Sequence, residues 1–435
     1  MSSLYERDAA VIAGIEKLRF FPLEVVSGHG STLIDPAGRQ LLDLSATWTA
    51  SGLGHGHPAV AAAVAAAVRN APGAGGLSAV HPDSVGLAED LLALVPGTGE
   101  RRVYLGHAGS DANDVALRAC RYATGRRTVV AFEHSYHGGV GVAMGVSGVH
   151  VDAGAAPDPD TVFLPYPNPF RPQHGDVAAD VARCLELAER HLGAGTAACL
   201  IVEPILSDGG LIVPPDGFLA ALHEMCRRYA VPMICDEVKM GLGRPGTLHA
   251  FDHDGVVPDI VTFGKVLGGG LPLSAAVGPA AVLDAPPAAA LLTTAGNPVC
   301  TAAGRAVLAT IVGEQLPQRA AKVGAVLADS LVSLRTAPAG ERIGDVRGRG
   351  LAIGVELVDP ATGDRDPRFA AQVVYRAWQL GVVVYYVGGN VLEVTPPLVL
   401  TEDEAIRAAE IVGAAIEDAA AGRVDAEEVA KYAGW

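Results

Sequence analysis

The sequence predicts an α/β protein, with a large domain built on a mainly parallel sheet between helices and a smaller α+β domain beside it. Two observations carry this. Between about residues 100 and 265, short apolar runs alternate with stretches of helical periodicity. The runs are continuously apolar rather than alternating, as strands covered on both faces must be.

The elements follow in order. "GSTLIDPAGRQLLDL" reads as a hairpin turning at Pro36-Ala37-Gly38, and residues 1–50 are expected to pack with the small domain. The large domain is expected over residues 51–300. Its strands are "RVYLG", "TVVAF", "AACLIVEPI", "VPMICDEV" and "DIVTFGK". Ala112, Val115, Ala116, Ala119, Cys120 and Ala123 recur on one helical face, as do Phe218, Leu222, Met225, Cys226 and Tyr229. The uncharged run Val266 to Leu283 is rich in glycine and holds two prolines, so it reads as loop rather than membrane span. Residues 301–435 are expected to form the small domain, closing with a helix from Thr401.

Bulk properties narrow the function. A formal charge of −16 argues against nucleic acid or an anionic membrane as partner. The six cysteines are scattered without a CxxC pair, so free thiols in a cytoplasmic protein are expected, with no metal site. The N-terminus has no continuous apolar run of the kind a signal peptide needs.

Three strand ends carry polar groups: Glu203 after "CLIV", Asp236 after "PMIC" and Lys265 after "VTFG". Ligands of open parallel sheets gather at the carboxyl ends of strands. A lysine there is costly to bury and suits Schiff-base chemistry. "GHAGSDANDVALRACR" follows a strand and opens a helix, so the backbone around Gly109 and the Ser110 hydroxyl make a natural phosphate seat. A cofactor with one phosphate, a ring nitrogen that wants an acid and a carbonyl that wants a lysine would use all three features. Pyridoxal 5'-phosphate is such a cofactor.

With these motifs in place, the chain resembles the class III aminotransferase group of fold-type I pyridoxal-phosphate enzymes along nearly its whole length. The likeness rests on "LGHGHPAVAAAV", "AGSDANDVALR", "YHG", "VEPILSDGG", "DEVKMGLGRPG", "FGKVLGGGLPLSA" and "TTAGNP". It implies that Lys265 carries the cofactor as a Schiff base, Asp236 holds the ring nitrogen and Tyr136 stacks on the ring. It implies further that Val238 packs on the other face, that Gly109 and Ser110 bind the phosphate, and that Thr293 reaches it across a homodimer interface. Lys239 stands where the group usually has glutamine, near the cofactor's phenolic oxygen.

One departure bears on substrate. In "NVLEVTPPL", Glu393 stands where the group usually carries a carboxylate-gripping arginine, and Asp208 replaces that arginine's glutamate partner. A carboxylate repels a carboxylate. Together with "RFFPL", "DLSATW", "YYVGGNVLEVTPPL" and the terminal "AGW", this pattern resembles the α-amino-ε-caprolactam racemases within the group. The resemblance implies an amino lactam or amino acid amide as substrate; the alternative is an aminotransferase acting on an amino acid or ω-amine. Racemisation needs two proton carriers, for which Lys265 and Asp208 are the candidates, with Asp208 expected to be desolvated and protonated. As a turn residue in "SDGG", Asp208 would have no such role. Trp48 fits either a substrate pocket or a domain seam. Arg347 and Arg349 in "VRGRG" read as structural.

Overall fold

The structure is a computed structural model and describes residues 3–71, 73 and 76–432; the terminal "AGW" lies outside the described residues. Strands form three sheets. In the first, β1 (Ser27–His29), β2 (Thr32–Ile34) and β3 (Gln40–Asp43) run antiparallel around the expected turn, with Ile34 paired to Gln40. This sheet is completed by β13 (Val382–Val383), parallel to β3, so the N-terminal hairpin is tied to the C-terminal part of the chain.

The central sheet has seven strands. They are β4 (Arg101–Gly106), β5 (Thr128–Phe132), β6 (Thr161–Leu164), β7 (Ala197–Val202), β8 (Met233–Asp236), β9 (Ile260–Phe263) and β10 (Ser274–Pro279). Their spatial order is β4-β10-β9-β8-β7-β5-β6. β10 runs antiparallel to both its neighbours, β4 and β9, and the remaining pairs of this sheet are parallel. It lies inside the run 266–283 that reads as loop in the sequence. "SAAVGP" is made mostly of small residues with Gly278 inside it, and its pairing with β4 and β9 comes from packing rather than side-chain propensity. β7, β8 and β9 are buried residue by residue, which explains their unbroken hydrophobicity.

Helices cover the sheet. Gly109–Thr124 buries Ala112, Asn113, Ala116, Leu117 and Cys120 against it, so the buried stripe includes an asparagine that an apolar count passes over. Phe218–Arg228 buries Phe218, Leu219, Leu222 and Cys226. The third sheet has the order β11 (Ile343–Arg349), β12 (Ala352–Leu357), β15 (Val391–Val394), β14 (Tyr385–Val387). Its β12–β15 pairing places Glu393 opposite Gly354 and Val391 opposite Glu356. All six cysteines are free and buried. Among the described residues no helix is long and apolar enough to cross a membrane, and no cluster of His, Cys, Asp and Glu has metal-binding geometry.

Candidate active site

The carboxyl ends of the central strands converge on a cavity of about 380 Å³. Asp236 closes β8, Glu203 follows β7, Tyr136 follows β5, Lys265 follows β9, and the helix opening at Gly109 follows β4. Parallel strands point these ends the same way, so residues far apart in sequence meet there. Gly109, Ser110, Tyr136, Glu203, Asp236, Val238, Lys239 and Lys265 all line the cavity, while Trp48, Asp208 and Thr293 do not.

Asp236 is buried and held from three sides. Asn113 Nδ2 donates to its Oδ2 at 2.7 Å, His137 Nδ1 lies 2.8 Å from the same oxygen, and the Val238 N–H donates to Oδ1 at 3.0 Å. Thr262 Oγ1 in turn donates to Asn113 Oδ1 at 2.7 Å. Asn113 and His137 escaped the sequence reading. His137 is the middle residue of "YHG", but nothing in that triplet shows that its ring turns back to the strand-end acid.

At the helix start, a Cβ on Gly109 would come within 2.5 Å of Val238 Cγ1, so only glycine leaves room. The Gly139 N–H donates to Ser110 Oγ at 3.1 Å, bringing the "YHG" segment over the helix start. Glu203 accepts from the Tyr136 N–H at 2.9 Å and from the Ser207 N–H at 3.2 Å, and burial pushes its carboxyl up to about 7. That acid fixes the backbone of Tyr136 and of the turn carrying Asp208.

Lys265 adopts a left-handed backbone, φ 43°, the kind of local strain that collects at functional sites. Its Nζ lies 6.0 Å from the Tyr136 ring centroid. Burial and, next, the nearby Lys239 ammonium lower its pKa, which raises the share of free amine available as nucleophile.

Lys239 is the centre of a buried charge cluster. Its Nζ donates to Asp208 Oδ1 at 2.9 Å and stands 2.7 Å from Glu393 Oε1. Burial opposes the ammonium, but the Asp208 and Glu393 carboxylates more than offset it and hold Lys239 well above its ordinary range. Burial pushes Glu393 the opposite way from an exposed acid, upward, with Lys239 countering in part. Asp208, which the sequence reading expects to be desolvated and protonated, is buried and has an ammonium partner. A buried cation stands beside Glu393 all the same, supplied by Lys239 from another segment.

Trp48 borders this cluster. Lys239 Nζ sits 5.3 Å from its ring, which stacks on Tyr385 with centroids 4.9 Å apart. It lies in a run of four consecutive non-glycine residues, Ala46 to Thr49, with φ between 48° and 68°. Asp43 anchors the entry to that run by accepting from the Ser45 and Ala46 N–H groups at 2.9 and 3.0 Å. Thr293 is exposed and outside the cavity, while its neighbour Thr294 meets His107 Nε2 at 2.8 Å.

Residues 15–416 match the family Aminotransferase class-III. The chain belongs to that family. It is 35% identical over 394 residues to a 4-aminobutyrate aminotransferase of Mycobacterium leprae, covering 88% of each chain. It is 33% identical to an isoleucine 2-epimerase of Lentilactobacillus buchneri, covering 100% of this chain and 98% of that one. The ω-transaminase from Pseudomonas jessenii in complex with PMP superposes with a TM-score of 0.89 at 25% identity, over 97% of this chain and 99% of the other. The fold is therefore that of the class III, fold-type I enzymes, and the cofactor is pyridoxal 5'-phosphate. The cavity fits that group: an acid at its floor held by three donors, a lysine at a strand end, and a helix start closed to any side chain at Gly109.

Proposed function

We propose that the protein is a racemase that interconverts the enantiomers of α-amino-ε-caprolactam or of amino acid amides by removing and returning the Cα proton. The observation that carries this reading is the pairing of Lys239 with two carboxylates, Asp208 and Glu393. Lys239 and Lys265 are the lysines of the cavity wall, and no arginine lines it among the described residues. A free α-carboxylate arriving at Lys239 would meet two acids already in place, whereas a neutral amide carbonyl can accept a hydrogen bond there at smaller electrostatic cost.

Bound pyridoxal 5'-phosphate supplies a carbonyl that condenses with amines and a ring that accepts electron density from Cα. In this reading Asp236 holds the ring nitrogen, with Asn113 and His137 fixing its carboxylate. Gly109 and Ser110 hold the phosphate, joined by Thr293 from the second chain of a homodimer, and Tyr136 and Val238 flank the ring. Lys265 would be the amine that holds the cofactor's carbonyl and would move the Cα proton on one side. On the other side the Lys239 ammonium, which lines the cavity, would give a proton to Cα and, in the reverse direction, its amine would take one back, with Asp208 paired to it. Trp48 shapes the substrate end. The relative named isoleucine 2-epimerase supports Cα proton chemistry on this framework.

A second reading, an aminotransferase, is favoured by the 4-aminobutyrate aminotransferase among the relatives, and the same Lys265 and Asp236 would serve it. Incubating the holoenzyme with one enantiomer of an amino lactam, without keto acid, separates the two. Loss of optical activity is expected. Turnover that begins only when a keto acid is added would overturn the proposal.

A further inference from the structure

The turn that carries Asp208 is gripped from behind by one arginine. Arg347 Nε donates to Leu211 O at 3.1 Å and Nη2 to Gly210 O at 2.5 Å. Its Nη1 donates to Asp345 Oδ2 at 3.0 Å and to Glu356 Oε2 at 2.8 Å. The planar guanidinium thus joins two backbone carbonyls of the large-domain turn to two acids on the third sheet, a geometry lysine cannot reproduce. Arg171 meets the other oxygen of Glu356.

The front of the same turn is also held. The Gly388 N–H donates to Asp208 O at 3.0 Å, and Arg365 Nη1 donates to Gly388 O at 3.0 Å. A Cβ on Gly388 would lie 3.0 Å from Gly209 O, so two glycine turns pack backbone on backbone. Glu356 faces Val391 on β15, the strand that also bears Glu393. The cluster around Glu356 therefore fixes both acids of the Lys239 site relative to each other, although none of its arginines lines the cavity.

We propose that Arg347 is a positioning residue that sets the Asp208–Lys239 contact and thereby the Cα proton transfer, a role that rests on the racemase reading above. Arg347 does not line the cavity; it acts through the carbonyls of Gly210 and Leu211. A merely structural arginine would affect melting temperature and cofactor content, and its effect on rate would not depend on Asp208.

The test is a double-mutant cycle on the holoenzyme, reading Cα deuterium exchange of an amino acid amide, with cofactor absorbance and melting temperature as controls. Arg347→Lys is expected to lower kcat roughly 10- to 100-fold with KM little changed, the size of effect a small misplacement causes. In the Asp208→Asn background the same substitution is expected to change kcat by less than about twofold. Should Arg347 variants fold poorly, Arg365→Gln, which removes the hydrogen bond to Gly388 O and a cation near Glu356, gives a smaller loss in the same direction and the same dependence on Asp208. Equal effects in both backgrounds, or an unaffected kcat, would overturn the positioning role. Wild-type protein that exchanges no Cα proton would contradict the racemase reading instead.

Discussion

Lys239 Nζ lies 2.7 Å from Glu393 Oε1, and both side chains are almost wholly withdrawn from solvent. Where the family resemblance leads one to expect an arginine on β15, this chain has an acid, and the cation comes from the loop after β8. The exchange reverses which element supplies the charge, and Asp208 completes it at 2.9 Å. One ammonium thus stands between two carboxylates.

Glu393→Gln removes one of those carboxylates while keeping its shape. Lys239 would then have a single acidic partner and could accept a substrate carboxylate. KM for a free amino acid is expected to fall about tenfold, near 1.4 kcal/mol, with the KM of the matching amide little altered. Steady-state kinetics on the pair checks it; parallel changes for both would place Glu393 outside substrate selection.

Lys239→Met leaves Asp208 and Glu393 buried together without a cation. Removing one partner of a buried ion pair costs roughly 3–5 kcal/mol. A carboxyl in that setting has a folded pKa above its unfolded one, so the folded state gains stability as pH falls and the acid takes up a proton. Thermal melts should show the gap to wild type narrowing from about pH 8 to about pH 5. A gap independent of pH would contradict the cluster's charge state.

Lys265 is predicted to destabilise the cofactor-free protein. Its pKa is lowered by burial and by Lys239, so the unfolded chain binds more protons and stability rises with pH towards the unfolded lysine range near ~10.4. Lys265→Met should therefore raise the melting point of apo-protein at about pH 7 by roughly 1 kcal/mol equivalent, and less at about pH 10. It should also abolish the visible absorbance of bound cofactor. A destabilised apo variant would show that the lysine is well accommodated.

Gly109→Ala would drive a Cβ to 2.5 Å from Val238 Cγ1. Cofactor affinity is expected to fall about tenfold or more, since overpacking costs typically 1–3 kcal/mol. Val238→Ala in the same chain should restore part of it by removing the clashing methyl groups. Affinity titration of apo-protein by fluorescence reads both, and absence of rescue would place the phosphate seat elsewhere.

Much of this site was legible because parallel strands write their ends into the sequence. Glu203, Asp236 and Lys265 each follow an unbroken apolar run, and the fold brings those ends together. β10 was not legible, because its small residues look like loop until β4 and β9 flank it. Nor was the charge cluster. Lys239 meets Glu393 on a strand of a different sheet, and no local spacing encodes a contact between segments so far apart in the chain. Asn113 was hidden on a helical face that reads as small and apolar, and His137 gave no sign of its direction. The substitutions at 208, 239 and 393 were each visible alone; their mutual compensation required the third dimension.

The paired Lys239 is proposed to select a neutral carbonyl over a carboxylate. Its most direct test is proton NMR in deuterated water, comparing Cα exchange of an amino acid amide with that of its free acid on the same holoenzyme. A kcat/KM for the amide at least about 100-fold higher is expected, or about 2.7 kcal/mol at 1.36 kcal/mol per tenfold. Equal or faster exchange of the free amino acid would contradict it.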